Sequence, residues 1–189
     1  IPQLGLSFTS HQLTIPNQNS RQKLNGTAID LALSFEFLPT YKRNISVIIS
    51  PAFALGHTEG FSSYIEGDSR FDTDLYFNFT TIQAPIAARY YLEIRPNKFR
   101  TFIEMGYSWY SLKAKDGRMD IARIKENTFT TDSREFDPSS DYYGFNSGIG
   151  AEKYLKKTRA IIMGIKYSVL RNKNTEEFNQ FSPYIGFKF

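Results

Sequence analysis

Cysteine is absent from this chain, and with it go disulfides, thiolate metal sites and cysteine nucleophiles. Its absence does not choose between an oxidising and a reducing compartment. Long apolar runs are missing too. No stretch approaches the roughly 18–20 apolar residues of a membrane-spanning helix, which excludes a helical membrane protein. The opening Ile1-Pro2-Gln3 carries no basic segment followed by an apolar one, so any signal peptide is expected to have been removed. Histidine is scarce, His11 and His57 being the whole supply, and Trp109 is the single tryptophan.

What the chain has in quantity is aromatic: 17 Phe and 12 Tyr in 189 residues, against a mean hydropathy of only -0.39. Apolar side chains are plentiful but interrupted by polar ones, which is alternation seen in bulk. The length suits one domain with a real core, expected to span 1–189. The net charge of +4 is spread over scattered basic residues. No helix-turn-helix, finger or RNP-like pattern accompanies it, so nucleic acid is not an expected partner.

Period-two alternation recurs in segment after segment, and no sustained helical stripe appears. Residues 27–38 put Ile29, Leu31, Leu33, Phe35 and Phe37 on one face and Asp30, Ser34 and Glu36 on the other. Residues 45–57 oppose Ile45, Val47, Ile49, Phe53 and Leu55 to Ser46, Ser50, Ala52 and Gly56. Residues 99–112 oppose Phe99, Ile103, Met105, Tyr107 and Trp109 to Arg100, Glu104, Gly106 and Ser108. The segments 142–155, 160–170 and 181–189 repeat the theme, with Glu152, Lys166 and Lys188 on their polar faces. Segments 3–13 and 76–94 bring the expected strands to eight, the latter opposing Ile82, Ile86, Leu92 and Ile94 to Gln83, Arg89 and Glu93.

Connections alternate in length. Short ones fall at 39–43, 95–98 and 156–158, and long ones at 14–26, 58–74, 113–141 and 171–179. That is the layout of an all-β, eight-stranded antiparallel up-and-down transmembrane β-barrel with short periplasmic turns and longer extracellular loops. A soluble up-and-down barrel shares the layout but hides its apolar face. The polar face is the discriminating one. Rich in Gly, Ala and Ser, it suits a narrow lumen better than a solvated coat.

Its charges also match. A turn pairing Ile94 with Phe99 sets Glu93 opposite Arg100 and Arg89 opposite Glu104. With Asp30, Glu36, Glu152, Lys166 and Lys188 these residues form an expected lumen network that fills the barrel, because an unpaired enclosed charge costs several kcal/mol. Phe35, Phe37, Phe99, Phe187 and Phe189 fall near the short-turn rim, and Tyr107, Trp109, Tyr143 and Tyr167 toward the long-loop rim, as two interfacial girdles would.

Certain stretches carry a family likeness across nearly the whole chain. "LALSFEFLPTYKRNISVIISPAFALG", "TIQAPIAARYYLEIRPNKFRTFIEMGYSWYSLKAKDG", "GFNSGIGAEKYL" with "RAIIMGIKYSVL", and the terminal "SPYIGFKF" resemble the outer-membrane β-barrels of the OmpA/OmpX-like superfamily, especially the PorT-like barrels of Bacteroidota. The resemblance implies an outer-membrane location in a Gram-negative bacterium and a closing strand with a terminal aromatic. Gly186 lies nearer the end than the better-known proteobacterial signal places it. The likeness carries no catalytic residue.

Chemistry is sparse. His11 and His57 are the only candidates for a lipid-modifying site, and their parities point them to different faces. Asp68, Asp72 and Asp74, with Glu59 and Glu66, make the 58–74 loop acidic without the glycine logic of a calcium loop. No catalytic residue, cofactor or metal is assigned. The stretch "RMDIARIKE" in 113–141 folds as a helix or extends the hairpin. The short turns are basic, with Lys42, Arg43, Arg95, Lys98, Lys156, Lys157 and Arg159, and offer a cationic periplasmic rim. The expected protein is a non-enzymatic integral barrel that touches outer-membrane lipid and lipopolysaccharide. It would accompany other outer-membrane or periplasmic proteins in secretion, surface-protein handling or envelope biogenesis. A lipid-modifying barrel enzyme and a soluble ligand-binding barrel are the alternatives.

Overall fold

A computed structural model describes residues 1–17, 20–38, 44–92, 99–125, 128–136, 139–155 and 159–189. The strands are β1 (Pro2–Asn17), β2 (Ser20–Phe37), β3 (Ile45–Ile49), β4 (Ala52–Glu66), β5 (Ser69–Tyr91), β6 (Phe99–Lys125), β7 (Thr128–Phe136), β8 (Ser139–Tyr154), β9 (Ala160–Arg171) and β10 (Glu177–Lys188). Ten segments make eight staves. β3 and β4 are one stave broken at Ser50-Pro51, where proline has no N–H to give, and β7 continues into β8 alongside β6. Every pairing is antiparallel. The ring closes where β1 meets β10, with Gln3 opposite Lys188 and Leu6 opposite Ile185.

The alternating residues sort as the pattern demands. Leu31, Leu33, Phe53, Ile82, Ile103, Met105, Ile149, Met163 and Ile185 lie exposed on the outer wall, and Phe145 is 75% exposed. Water would not tolerate a continuous belt of this kind, but hydrocarbon would. On β2 the belt runs from Ile29 to Phe37, and with strands tilted as in such barrels this spans roughly 20–25 Å. The wall is that of a transmembrane barrel, and the soluble alternative is excluded. Phe35, Phe37, Phe99 and Phe189 ring the short-turn edge of the belt, with Phe187 half-buried against Phe189 at a 5.0 Å ring separation. Tyr107, Tyr143 and Tyr167 are exposed at the opposite edge, beside half-buried Trp109.

The four expected long loops are mostly strand. β1 and β2 stay paired out to Asn17 and Ser20, and β4 and β5 to Glu66 and Ser69. The latter pair turns through Gly67-Asp68, with Gly67 at φ 57° supplying the positive angle that a two-residue hairpin requires. "RMDIARIKE" extends the hairpin: β6 runs to Lys125 and β7 pairs back along it. Among these four, 172–176 is the longest non-strand connection in the described residues.

Beyond the belt the alternation changes phase. On β5 the belt residues Ile82 and Ile86 point out, while beyond the belt Leu75, Phe77 and Phe79 point in. The strand has left hydrocarbon for water, and its apolar side chains turn inward to form an ordinary core. On β6 a bulge makes a second adjustment. The register slips from Asn78↔Lys115 to Tyr76↔Arg118 with Asp116 at φ 53°, so the inward set changes from Tyr110, Leu112 and Ala114 to Gly117 and Met119.

Candidate functional site

The lumen is built in three levels. Nearest the short-turn rim is a layer of charge. Arg89 on β5 faces Glu104 on β6 in the register expected from sequence, its Nε donating to Glu104 Oε1 at 2.6 Å. Its Nη1 donates to Glu152 Oε1 on β8 at 2.9 Å. Lys188 donates to Glu36 and, at 3.2 Å, to Glu152 Oε1. Lys166 Nζ lies 3.5 Å from Glu104 Oε2. Glu36 also accepts from Ser46 Oγ at 2.6 Å, from Gln3 Nε2 at 3.0 Å and from the Tyr91 hydroxyl. Three carboxylates meet three cations, each carboxylate held by several donors, which is the condition under which burying such a layer is tolerable.

Aromatic rings complete this layer. Arg89 Cζ sits 3.9 Å from the centre of Phe102, and Arg100 Cζ sits 3.7 Å from the centre of Tyr91. Arg100 also donates to the Tyr154 hydroxyl at 3.4 Å. Gly150 makes room for Phe102, since a Cβ there would lie 2.4 Å from its Cζ. Sequence parity placed Tyr91, Phe102 and Tyr184 on the inner face but supplied no reason to single them out.

Asp30 departs from expectation. It stands above the ionic layer and has no cation partner among the described residues. Gln83 Nε2 donates to it at 2.7 Å and Ser7 Oγ at 3.1 Å, and Thr9 donates as well. Neutral donors replace the counter-ion because the side chains at this level are short. They leave two adjoining spaces of about 60 and 70 Å³ with mixed linings, both bounded by Ser7, Ser50, Lys166 and Ser182. Each has room for a few waters. The expected uniform plug is instead two closures with a chamber between them.

The outer closure is apolar. Leu13, Leu24, Phe77, Phe79, Tyr110, Tyr142, Leu170 and Phe178 form one buried cluster inside the projecting staves. His11 belongs to it, its ring 5.0 Å from Phe79 and 5.2 Å from Phe178. His57 lies on the outside of the wall, its Nδ1 3.1 Å from Asn78 Oδ1. The two imidazoles stand on opposite sides of β-structure, as their parity required, and share no site. Asp72 and Asp74 sit two apart on one face of β5, with Asp68 in the turn, and Arg70 Nε donates to Asp72 at 2.8 Å.

Beyond the belt, β4, β5, β6 and β7 continue as a four-stranded sheet. From Thr80 to its tip, β5 rises roughly 30 Å past the belt. β7 pairs with β6 alone, and its other edge faces no strand among the described residues. Of the basic short-turn residues, Arg159 is exposed at the rim; Lys42, Arg43, Arg95, Lys98, Lys156 and Lys157 lie outside the described residues, as does Glu93.

The same architecture occurs in solved structures. That of OprG from Pseudomonas aeruginosa aligns over 98% of this chain and 95% of its own, at 11% identity and a TM-score of 0.53. The fold is that of a small outer-membrane β-barrel. Two further barrels align more loosely. Ail, the attachment invasion locus protein of Yersinia pestis, covers 100% of this chain and 97% of its own at 11% identity and a TM-score of 0.44. Neisserial surface protein A covers 100% and 97% at 12% identity and 0.41. No family model and no curated protein matches the chain. At 11% identity what this barrel shares with OprG is the path of its backbone.

Proposed function

We propose that this protein is a non-enzymatic outer-membrane barrel that captures a partner protein by strand addition along β7. The observation that carries this reading is the free edge of Thr128–Phe136, nine residues of extended backbone held far from the belt. Its sequence, TFTTDSREF, contains no proline, and its charges Asp132, Arg134 and Glu135 all fall in its second half, leaving Thr128–Thr131 uncharged. An extended partner segment would satisfy the open backbone groups and read the side chains that alternate along the edge. At the opposite edge of the projecting sheet, 61–66 on β4 pairs only with β5 among the described residues, so the sheet offers a second docking line.

In this reading the closed lumen serves as a rigid post and the projecting sheet as the working surface. The chain is an anchoring or accessory component of a larger outer-membrane assembly, in contact with lipopolysaccharide around its belt. Secretion, surface-protein handling or envelope biogenesis are the settings that its PorT-like sequence features favour.

The test is gentle detergent purification from native membranes, with the parent chain and with Thr131→Pro. A protein that accompanies the parent and is lost from Thr131→Pro, while both barrels keep heat-modifiable migration in gels, supports the reading. Recovery of the parent as a lone monomer in repeated preparations overturns it.

A further inference from the structure

The chamber and the lipid-facing wall approach each other at the seam between the first and last strands. β1 and β10 keep one register throughout, yet their ladder lapses between Ser7↔Tyr184 and Ser10↔Phe181. Pro183 falls in that interval. It pairs with Ile165 on its β9 side and has no N–H to offer β1. At this depth an unpartnered backbone group is costly, so a missing rung, here as at Ser50-Pro51, marks a place where the wall can part.

On the lumen side the lapse is bridged by side chains. Thr9 and Ser182 face each other with hydroxyl oxygens 2.8 Å apart. Thr9 spends its proton on Asp30, so Ser182 is the donor in this pair. On the lipid side lies an open groove of about 750 Å³ walled by Phe8, Ile29, Leu55, Phe181 and Pro183, and its floor reaches Thr9. Asp30 and Ser182, the two partners of Thr9, both line the chamber. One residue therefore separates an apolar groove at membrane depth from the chamber inside the barrel.

We propose that this seam is a lateral portal at which a small single-chain amphiphile, its chain seated in the outer groove, inserts its head from the surrounding lipid into the chamber. The groove's walls Phe8, Ile29, Leu55 and Phe181 belong to the apolar belt and suit one hydrocarbon chain, while Ser10, His57 and Asn78 line its outer, polar end. The chamber supplies the complement. Ser7, Ser50 and Ser182 present hydroxyls there, and Lys166, 31% exposed despite its lumen position, presents an ammonium group. These donors take a compact head bearing acceptor oxygens, a hydroxyl, carbonyl or carboxylate. The ionic layer and the apolar cluster close the two axial routes, which leaves the wall as the entrance.

A chain without native cysteine makes the test direct. Ser7→Cys places one thiol in the chamber. The protein is reconstituted in phosphatidylcholine vesicles and treated with N-ethylmaleimide, a small lipid-soluble probe, or with a sulfonated maleimide present on both sides of the membrane. Labelling by N-ethylmaleimide is expected and labelling by the sulfonated reagent is not. Adding Pro183→Val restores the missing N–H and is expected to slow N-ethylmaleimide labelling at least tenfold. Adding Ser182→Ala removes the side-chain bridge and is expected to speed it severalfold, an arm that stands even if the valine variant does not fold. Equal rates in the parent and a folded seam variant, or labelling by the sulfonated reagent as fast as by N-ethylmaleimide, overturns the portal.

Discussion

Arg89 and Glu152 meet at 2.9 Å although their strands, β5 and β8, are not neighbours in the ring. β6 lies between them and contributes Glu104 to the same guanidinium. Arg89 therefore ties three strands together within the ionic layer, with Arg89 2% and Glu152 0% exposed.

Removing that cation leaves three buried carboxylates to two cations, with Glu104 held by Lys166 alone and Glu152 sharing Lys188 with Glu36. Arg89→Met is expected to lower stability by about 3–5 kcal/mol, the cost of breaking a buried pair from one side. Glu104→Gln in the same background should recover part of the loss, since it restores the balance of two carboxylates to two cations. Urea unfolding in detergent micelles, followed by the heat-modifiable shift in gels, measures both. A loss under 1 kcal/mol for Arg89→Met would show that the layer is solvated.

Two closures in series carry a conductance prediction. In planar bilayers the parent is expected to be silent, and so is a variant opened at one level only. Tyr110→Ala with Phe178→Ala removes the centre of the apolar cluster, and Arg89→Gly with Tyr91→Gly removes the centre of the ionic layer. The four changes together should give discrete ion currents that neither pair gives alone. Currents from the parent would refute serial closure.

Trp109, the single tryptophan, pairs with Ala84 and Tyr143 on the outer wall at the hairpin-side edge of the belt. Its emission should be quenched more strongly by lipids brominated near the head of the acyl chain than by lipids brominated near the tail. Equal quenching at both depths would move the belt relative to the strands.

Asp120 lies on β6 beyond the belt, where the Ser133 hydroxyl donates to its Oδ1 at 2.6 Å and Arg118 Nε at 2.8 Å. These bonds, Ser133 first, hold its carboxyl below the ordinary aspartate value. The folded pairing of β6 with β7 therefore gains from ionised Asp120 at neutral pH and loses that gain as the pH falls through the depressed value. Side-chain NMR titration should place Asp120 below about 3.9, the unperturbed aspartate value, and Ser133→Ala should move it upward. An unchanged titration in Ser133→Ala would refute the assignment.

The belt was legible because it is local. Ile29, Leu31, Leu33, Phe35 and Phe37 alternate on one strand, and a period of two needs no tertiary information. Arg89 opposite Glu104 was legible for a related reason, since a short turn fixes the register of the strands it joins. The far end of β5 was read as part of the 58–74 loop because its outward face there is polar, Arg70, Asp72 and Asp74, so the apolar belt pattern had already ended. A search for reversed phase beyond each belt segment would have found Leu75, Phe77 and Phe79. Asp30 was grouped with the charges by parity alone, and parity gives the face of a residue but not its height in the barrel.

By itself the sequence determined the period, the choice of face and the near balance of inward charge, because each follows from neighbours along one strand or one hairpin. The tertiary structure alone decided the links that need the ring to close. Arg89 with Glu152, Lys188 with Glu36, and Thr9 with Ser182 join residues far apart in the chain. Their heights depend on strand tilt and on stagger accumulated around eight staves, and a single strand encodes neither. The missing rung at Pro183 belongs to both: the proline stands in the sequence, but only closure of β10 on β1 turns it into an opening in a wall.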